Sequence, residues 1–272
     1  MNKLHLVSGF CVAALAGTVF AQPLVYPIDS SNPTGAGPGG GWTVAMARND
    51  DGSSARIQLP AGFDYCFYGV ENTSLFINNN GNITFGAAFG TFTPAGFPVA
   101  TPMVAPFWAD VDTRNTSVGN RPSNQVYYQH FANGAGDLDD VFVVTWDNVG
   151  YFNQHNDLRN TFQVALANDP NGFGGFGQQF NTLFSYGAME WTTGDASLGV
   201  GGFGPASTAA TVGINEGTGL NRFDQWSRYN NSLVSSLDGT VIRFNGCEGI
   251  IPTPGAAAVL VLGGLMAGRR RR

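Results

Sequence analysis

"LFINNNGNITF", residues 75–85, sets an apolar run on each side of Asn79, Asn80 and Gly81. Asn-Gly after a β-rich run supplies the positive φ angles of a hairpin turn, so the stretch predicts two antiparallel strands that reverse direction at Gly81. The same grammar continues outward. Short apolar and aromatic runs alternate with clusters of Gly, Asn, Asp and Pro, which are strand and turn signals. Upstream lies "FDYCFYG" from Phe63. Downstream come "MVAPFWADV" from Met103, "QVYYQHF" from Gln125, "DVFVVTW" from Asp140 and "NTFQVALA" from Asn160, then "TLFSYGAMEW" from Thr182, "ATVGIN" from Ala210 and "TVIRF" from Thr240. With the two arms of the hairpin these make about ten short strands, which imply an all-β fold, an antiparallel β-sandwich or a partly closed barrel. Only "FDQWSRYNNSLVSSL", from Phe223, leaves room for a short helix.

Residues 22–61 are rich in Gly, Pro, Ser and Asn and read as a loosely held leader with one possible strand from Trp42 to Ala47. Before them, Lys3 precedes an apolar stretch from Leu4 to Phe20, with Val19 and Ala21 at small-residue cleavage positions. That is the pattern of a secretory signal peptide over residues 1–21. Cys11 leaves with it, so Cys66 and Cys247 remain in a chain bound for an oxidising compartment. They are expected to form one disulfide on neighbouring strands, with Cα atoms within about 7 Å. Closing so long a loop contributes at most about 5 kcal/mol through chain entropy.

The opposite end, residues 250–272, combines Pro252 and Pro254, an apolar segment from Ala256 to Gly268, and Arg269, Arg270, Arg271 and Arg272. A helix of that length rises about 20 Å against a hydrocarbon core of about 30 Å, so it suits a transient or tail-type membrane anchor better than a full span. The arginines would stay on the cytoplasmic side. The layout resembles the bacterial PEP-CTERM sorting signal, with Thr253 where that signal carries Glu. The resemblance implies an exosortase-like processing enzyme as a partner at the membrane.

Between the ends the body holds 8 arginines, no lysine and 19 acidic residues, a net charge of −11. Nucleic acid and anionic membrane are held by basic patches, so neither is expected as a partner. The acids of "APFWADVDTR", residues 105–114, are the candidate site. On a continuous strand Trp108, Asp110, Asp112 and Arg114 would share one face, and Ala105, Phe107, Ala109 and Val111 would face the core. Three readings follow. In the first the acids close the strand as an ion-paired stripe with Arg114. In the second Asp110 and Asp112 bind calcium with loop oxygens, since hard cations take six to eight such ligands. In the third they serve as paired carboxylates of a glycosidase. His130 and His155 lack partners at metal-ligand spacing and read as structural or solvated. No nucleophile-elbow glycine pattern accompanies a serine. In "VTWDNVGYF", Trp146 is expected inside the fold and Asp147 in a turn.

Several of these pieces occur in an order that resembles the nidogen-type extracellular (NIDO) domain: "FYG" at Phe67, "INNNGNITFG" at Ile77, "APFWADVDTR" at Ala105 and "VYY" at Val126. "VTWDNVGYF" at Val144, "NTFQVALAND" at Asn160, "AMEWTTGDA" at Ala188 and "ATVGINEGTG" at Ala210 complete the series, and the domain is placed at residues 62–247. In animal proteins this module stands beside epidermal-growth-factor-like modules; here it is read alone. The resemblance implies a non-enzymatic extracellular module of matrix and cell adhesion, without catalytic residues and with an unknown surface protein or polysaccharide as ligand. A carbohydrate-active hydrolase, or a calcium-dependent glycan-binding module using Asp110 and Asp112, is the rival. The expected location is the cell surface.

Overall fold

A computed structural model of the chain describes residues 24–63, 65–117, 123–132, 140–168, 180–220, 222–229 and 232–248. The expected signal peptide and the sorting signal with Pro252, Pro254 and Arg269 to Arg272 lie outside the described residues. In chain order the strands are β1 (Thr43–Val44), β2 (Ile57–Gln58), β3 (Tyr65–Phe67), β4 (Val70–Asn72), β5 (Ser74–Asn78), β6 (Asn82–Thr84), β7 (Met103–Trp108) and β8 (Val111–Asp112). They continue with β9 (Gln125–Phe131), β10 (Val141–Tyr151), β11 (His155–Ala167), β12 (Thr182–Tyr186), β13 (Ala210–Asn215), β14 (Phe223–Tyr229) and β15 (Val241–Phe244).

Two antiparallel sheets face each other as a sandwich. One has the order β1-β9-β10-β11-β12-β15 with β8 also on β10, the other β14-β13-β7-β6-β5-β2, and β3-β4 form a separate hairpin. No barrel closes. Between the sheets Trp146 stacks on Phe162 (5.1 Å between ring centroids), and Phe107 packs on both Phe162 and Trp191. All four side chains are fully buried. Burial of each such ring contributes roughly 1.5–3 kcal/mol, which makes this the main cohesive layer.

The expected hairpin is present with a longer loop. Asn78 pairs with Asn82, so Asn79, Asn80 and Gly81 form a three-residue turn with Gly81 at φ 73°. A Cβ on Gly81 would meet the Phe107 carbonyl oxygen at 1.8 Å. The turn therefore needs glycine twice, for its φ and for its contact with β7.

The expected single strand "MVAPFWADV" is two strands. β7 belongs to the second sheet and β8 to the first, so the chain changes sheets at Ala109 and Asp110. Pro106 is the reason alternation already slips inside β7. It has no N–H for the ladder, and the register on β13 shifts between the pairs Thr211–Trp108 and Gly213–Ala105. Phe107, Ala109 and Val111 reach the main core as expected, whereas Ala105 joins Met103 and Trp108 on the outer face under Phe89, Phe97 and Val99. After Arg222 the chain first forms the edge strand β14, and the short helix for which this stretch left room is the 3₁₀ segment Ser232–Leu237.

The leader is not loosely held. Tyr26 and Trp42 are buried on the outer face of the first sheet against Tyr127, Val141, Val143, Ala165 and Leu183. Gln163 clamps it: its Oε1 accepts from the Tyr26 N–H (3.3 Å) and its Nε2 donates to the Tyr26 carbonyl (2.6 Å). Covered on both faces, β10 carries the near-continuous apolar run "VFVVTW" instead of an alternation.

Cys66 and Cys247 are joined in a disulfide with Cα atoms 4.9 Å apart. Cys66 sits in β3, but Cys247 lies in the turn that follows β15 rather than on a neighbouring strand. The bond, with the Tyr68 N–H donating to the Gly246 carbonyl (2.8 Å), ties the small hairpin to the end of the domain.

Candidate functional site

The change of sheets places Asp110 and Asp112 in different surroundings, and neither lies on an exposed face. Asp110 is 2% exposed and Asp112 fully buried. Asp112 ends β8. Its Oδ1 accepts from the backbone N–H of Arg114 (2.9 Å) and from Arg114 Nε (2.9 Å), and its Oδ2 accepts from Arg114 Nη2 (2.5 Å) and from the Gln154 N–H (2.8 Å). The expected ion pair therefore forms, as a fork on a buried carboxylate. Both oxygens are taken, so Asp112 has no lone pair positioned to ligate a metal or to act as a catalytic base. The expectation of calcium or acid/base chemistry on Asp110 and Asp112 together is corrected here for Asp112.

Asp110 meets other acids. Asp50 and Asp51, in the turn of "RNDDGSS", each bring a carboxylate oxygen within 4.8 Å of one from Asp110 and of each other. Asp50 Oδ2 is 3.1 Å from Arg114 Nη2, and its Oδ1 is buried with no hydrogen-bond partner. Asp51 Oδ1 accepts from Asn80 Nδ2 (2.9 Å). Asp110 Oδ2 has one contact at 3.5 Å, from the Ser197 hydroxyl. Burial, then the neighbouring acids Asp50, Asp51 and Asp112, push the Asp110 carboxyl up to about 7. Burial and the charges of Asp112 and Asp51 raise Asp50 to about 6, with Arg114 pulling the other way. Unpaired charge in low dielectric favours the neutral acid.

The hairpin turn is the scaffold of this cluster. Asn79 Nδ2 donates to the carbonyls of Asp50 and Val111, and Asn80 Oδ1 accepts from the Val111 N–H (2.9 Å). Trp146 Nε1 donates to the Asn79 carbonyl (3.0 Å). Asn78, Asn79, Asn80 and Asn82 are all buried, so the asparagine run is an internal polar network as well as a turn. Asp50 and Asp51 were missed in the sequence because they fall in the segment read as leader. The oxygen-rich "NDDGS" next to a glycine was the available signal.

Trp146 is inside the core as expected, but Asp147 is a buried strand residue rather than a turn residue. Its Oδ1 accepts from the Ser30 hydroxyl of the leader (2.8 Å), and burial raises its carboxyl to about 6. His130 pairs with Asp140 and His155 with Asp195 (2.9 Å), both partly exposed and away from any third ligand among the described residues.

The nidogen-like domain model matches residues 73–240, from β5 to the end of the 3₁₀ region. The chain belongs to the nidogen-like domain family. Human alpha-tectorin is 33% identical over 213 residues, 72% of this chain and 9% of its own length. Drosophila melanogaster nidogen is 33% identical over 165 residues, covering 55% of this chain and 12% of the relative. "Dendrite extension defective protein 1" of Caenorhabditis elegans is 26% identical over 171 residues, covering 58% and 13%. The chain thus spans only about a tenth of the length of these relatives. No solved structure matches it. The nidogen-like span includes Asn79, Asn80, Asp110 and Asp112 but begins after Asp50 and Asp51. Among the described residues no helix is long and apolar enough to cross a membrane.

Proposed function

We propose that this nidogen-like domain is a non-enzymatic extracellular matrix or surface module that holds a surface protein or polysaccharide. The observation that supports this reading best is the breadth of the match. It runs through most strands of both sheets, so what this chain shares with nidogen and alpha-tectorin is a whole domain rather than a short motif. A disulfide and an acidic body suit an oxidising exterior. The buried polar side chains favour the same reading, because Asp112, Asn79, Asn80 and Arg159 are engaged in internal bonds. Export by residues 1–21 and delivery through residues 250–272, processed by an exosortase-like enzyme, complete the proposal.

The test applies the purified protein to arrayed polysaccharides and to cell-surface extracts while a glycoside panel is assayed for hydrolysis. Saturable retention of one class of ligand without product release is expected. Sugar release that disappears in Asp110→Asn would replace this reading with the hydrolase.

A further inference from the structure

We propose that Asp50, Asp51 and Asp110 form a binding site for a hard divalent cation, with calcium the best-suited ion. One oxygen from each lies within 4.8 Å of the others. An ion with calcium–oxygen bonds of about 2.3–2.6 Å sits within reach of all three at that separation.

Proximity of acids alone would not carry this, since exposed carboxylates often gather without an ion. The second observation is the state of the buried oxygens. Asp110 is 2% exposed, and among the described residues its side chain accepts one hydrogen bond, the 3.5 Å contact from Ser197 to Oδ2. Asp50 Oδ1 is buried and without a partner. Buried carboxylate oxygens are ordinarily satisfied, and Asp50 and Asp110 converge on one point. The nearby guanidinium does not supply the missing charge. Arg114 spends Nε and Nη2 on Asp112 and reaches only the other oxygen of Asp50. The neighbouring Arg48 is turned to the carbonyls of Thr113, Ser123 and Asn124.

The framework is also rigid where a ligand set must be. Asp110 stands at the change of sheets with its carbonyl accepting from the Phe152 N–H (3.1 Å). Gly194 packs against its carboxylate so closely that a Cβ there would lie 2.5 Å from Oδ2. Asn79 and Asn80 hold the Asp50–Asp51 turn. Asp51 is exposed, which gives the ion a path and leaves positions for water. An all-oxygen set with no His or Cys favours calcium over zinc, and the mixture of protein and solvent ligands fits the weak range of extracellular modules, with Kd of about 10⁻⁴–10⁻³ M.

The test uses the whole purified protein after chelator treatment, titrated with calcium chloride by calorimetry and by thermal melting. The variants are Asp110→Asn, Asp51→Asn and, as a remote control, Glu71→Gln on exposed β4. One calcium per chain is expected, with a saturable rise in Tm. Affinity should fall at least tenfold in each aspartate variant and stay unchanged in the control. Absence of binding by the wild type at 10 mM calcium, about ten times the weakest expected Kd, overturns the proposal. So does wild-type affinity in either aspartate variant. Should Asp110→Asn fail to fold, Asp51→Asn decides alone, because its exposed side chain has little to do with folding.

Discussion

Asp110 and Asp112 stand two residues apart, on either side of the point where the chain leaves one sheet for the other, and they are treated in opposite ways. Asp112 is fully buried and receives a guanidinium fork and two backbone N–H groups. Asp110 is as deeply buried and receives one long hydroxyl contact and two further acids. The difference teaches that burial of a carboxylate says little by itself. What matters is which donors the neighbouring elements deliver, and here the change of sheet delivers them to one residue only.

The strongest way to break the contrast is Arg114→Ala. It would leave Asp112 as a third acid without a compensating cation beside Asp50 and Asp110, and loss of one partner of a buried pair costs about 3 kcal/mol when the other partner stays buried. Because Arg114 itself is 37% exposed, water repays part of this, and about 2–3 kcal/mol is expected in urea unfolding. A loss under 1 kcal/mol would mean that Gln154 and the backbone suffice to hold Asp112.

A third buried acid sharpens the comparison. Asp147 is held by a hydroxyl and an amide instead of a guanidinium, and its Oδ2 has no partner. With a folded pKa near 6 against an ordinary 3.8, it keeps its proton in the folded chain where the unfolded chain has lost it. Its contribution therefore declines as pH rises from about 4 to about 6 and stays low above that. Replacement by Asn should flatten this part of the stability–pH curve by up to about 3 kcal/mol. An unchanged slope in the Asp147→Asn melts would refute the assignment.

Ser30→Ala removes the leader's hydroxyl from Asp147 and should cost about 1 kcal/mol. It should also raise the protease sensitivity of residues 24–42. The smallest effect belongs to the exposed His155–Asp195 pair, where both side chains are 41% exposed. Asp195→Ala should change Tm by an amount equivalent to under about 0.5 kcal/mol, and a larger loss would show that this pair helps to hold Gly194 and Ser197 against Asp110.

The strands were legible to a large extent. Ser74–Asn78, Gln125–Phe131 and Ala210–Asn215 fall where alternation and turn residues put them. The failures have physical causes. "MVAPFWADV" reads as one strand because nothing local separates a strand that continues from one that changes partner. "FDQWSRYNNSLVSSL" left room for a short helix without placing it, and pairing of its first half with β13 confined the helical turn to Ser232–Leu237. Of the candidate site, Asp110 was legible, Asp112 pairs with Arg114 as the first of its three readings expected, and Asp50 and Asp51 were passed over. Their relation to Asp110 depends on a turn of the leader lying against the hairpin.

The amino-acid sequence by itself determined the all-β class, the Asn-Asn-Gly reversal and the expectation that Cys66 pairs with Cys247. These follow from periodicity, turn chemistry and composition, which act over a few residues at a time or over the whole chain at once. The tertiary structure alone decided that the Gly/Pro-rich leader covers a sheet, that Asp110 and Asp112 part at a change of sheets, and that three acids from two separate segments meet. Those outcomes depend on contacts between residues distant in the chain, where shape and hydrogen-bond demand select the partner and no local pattern records the choice.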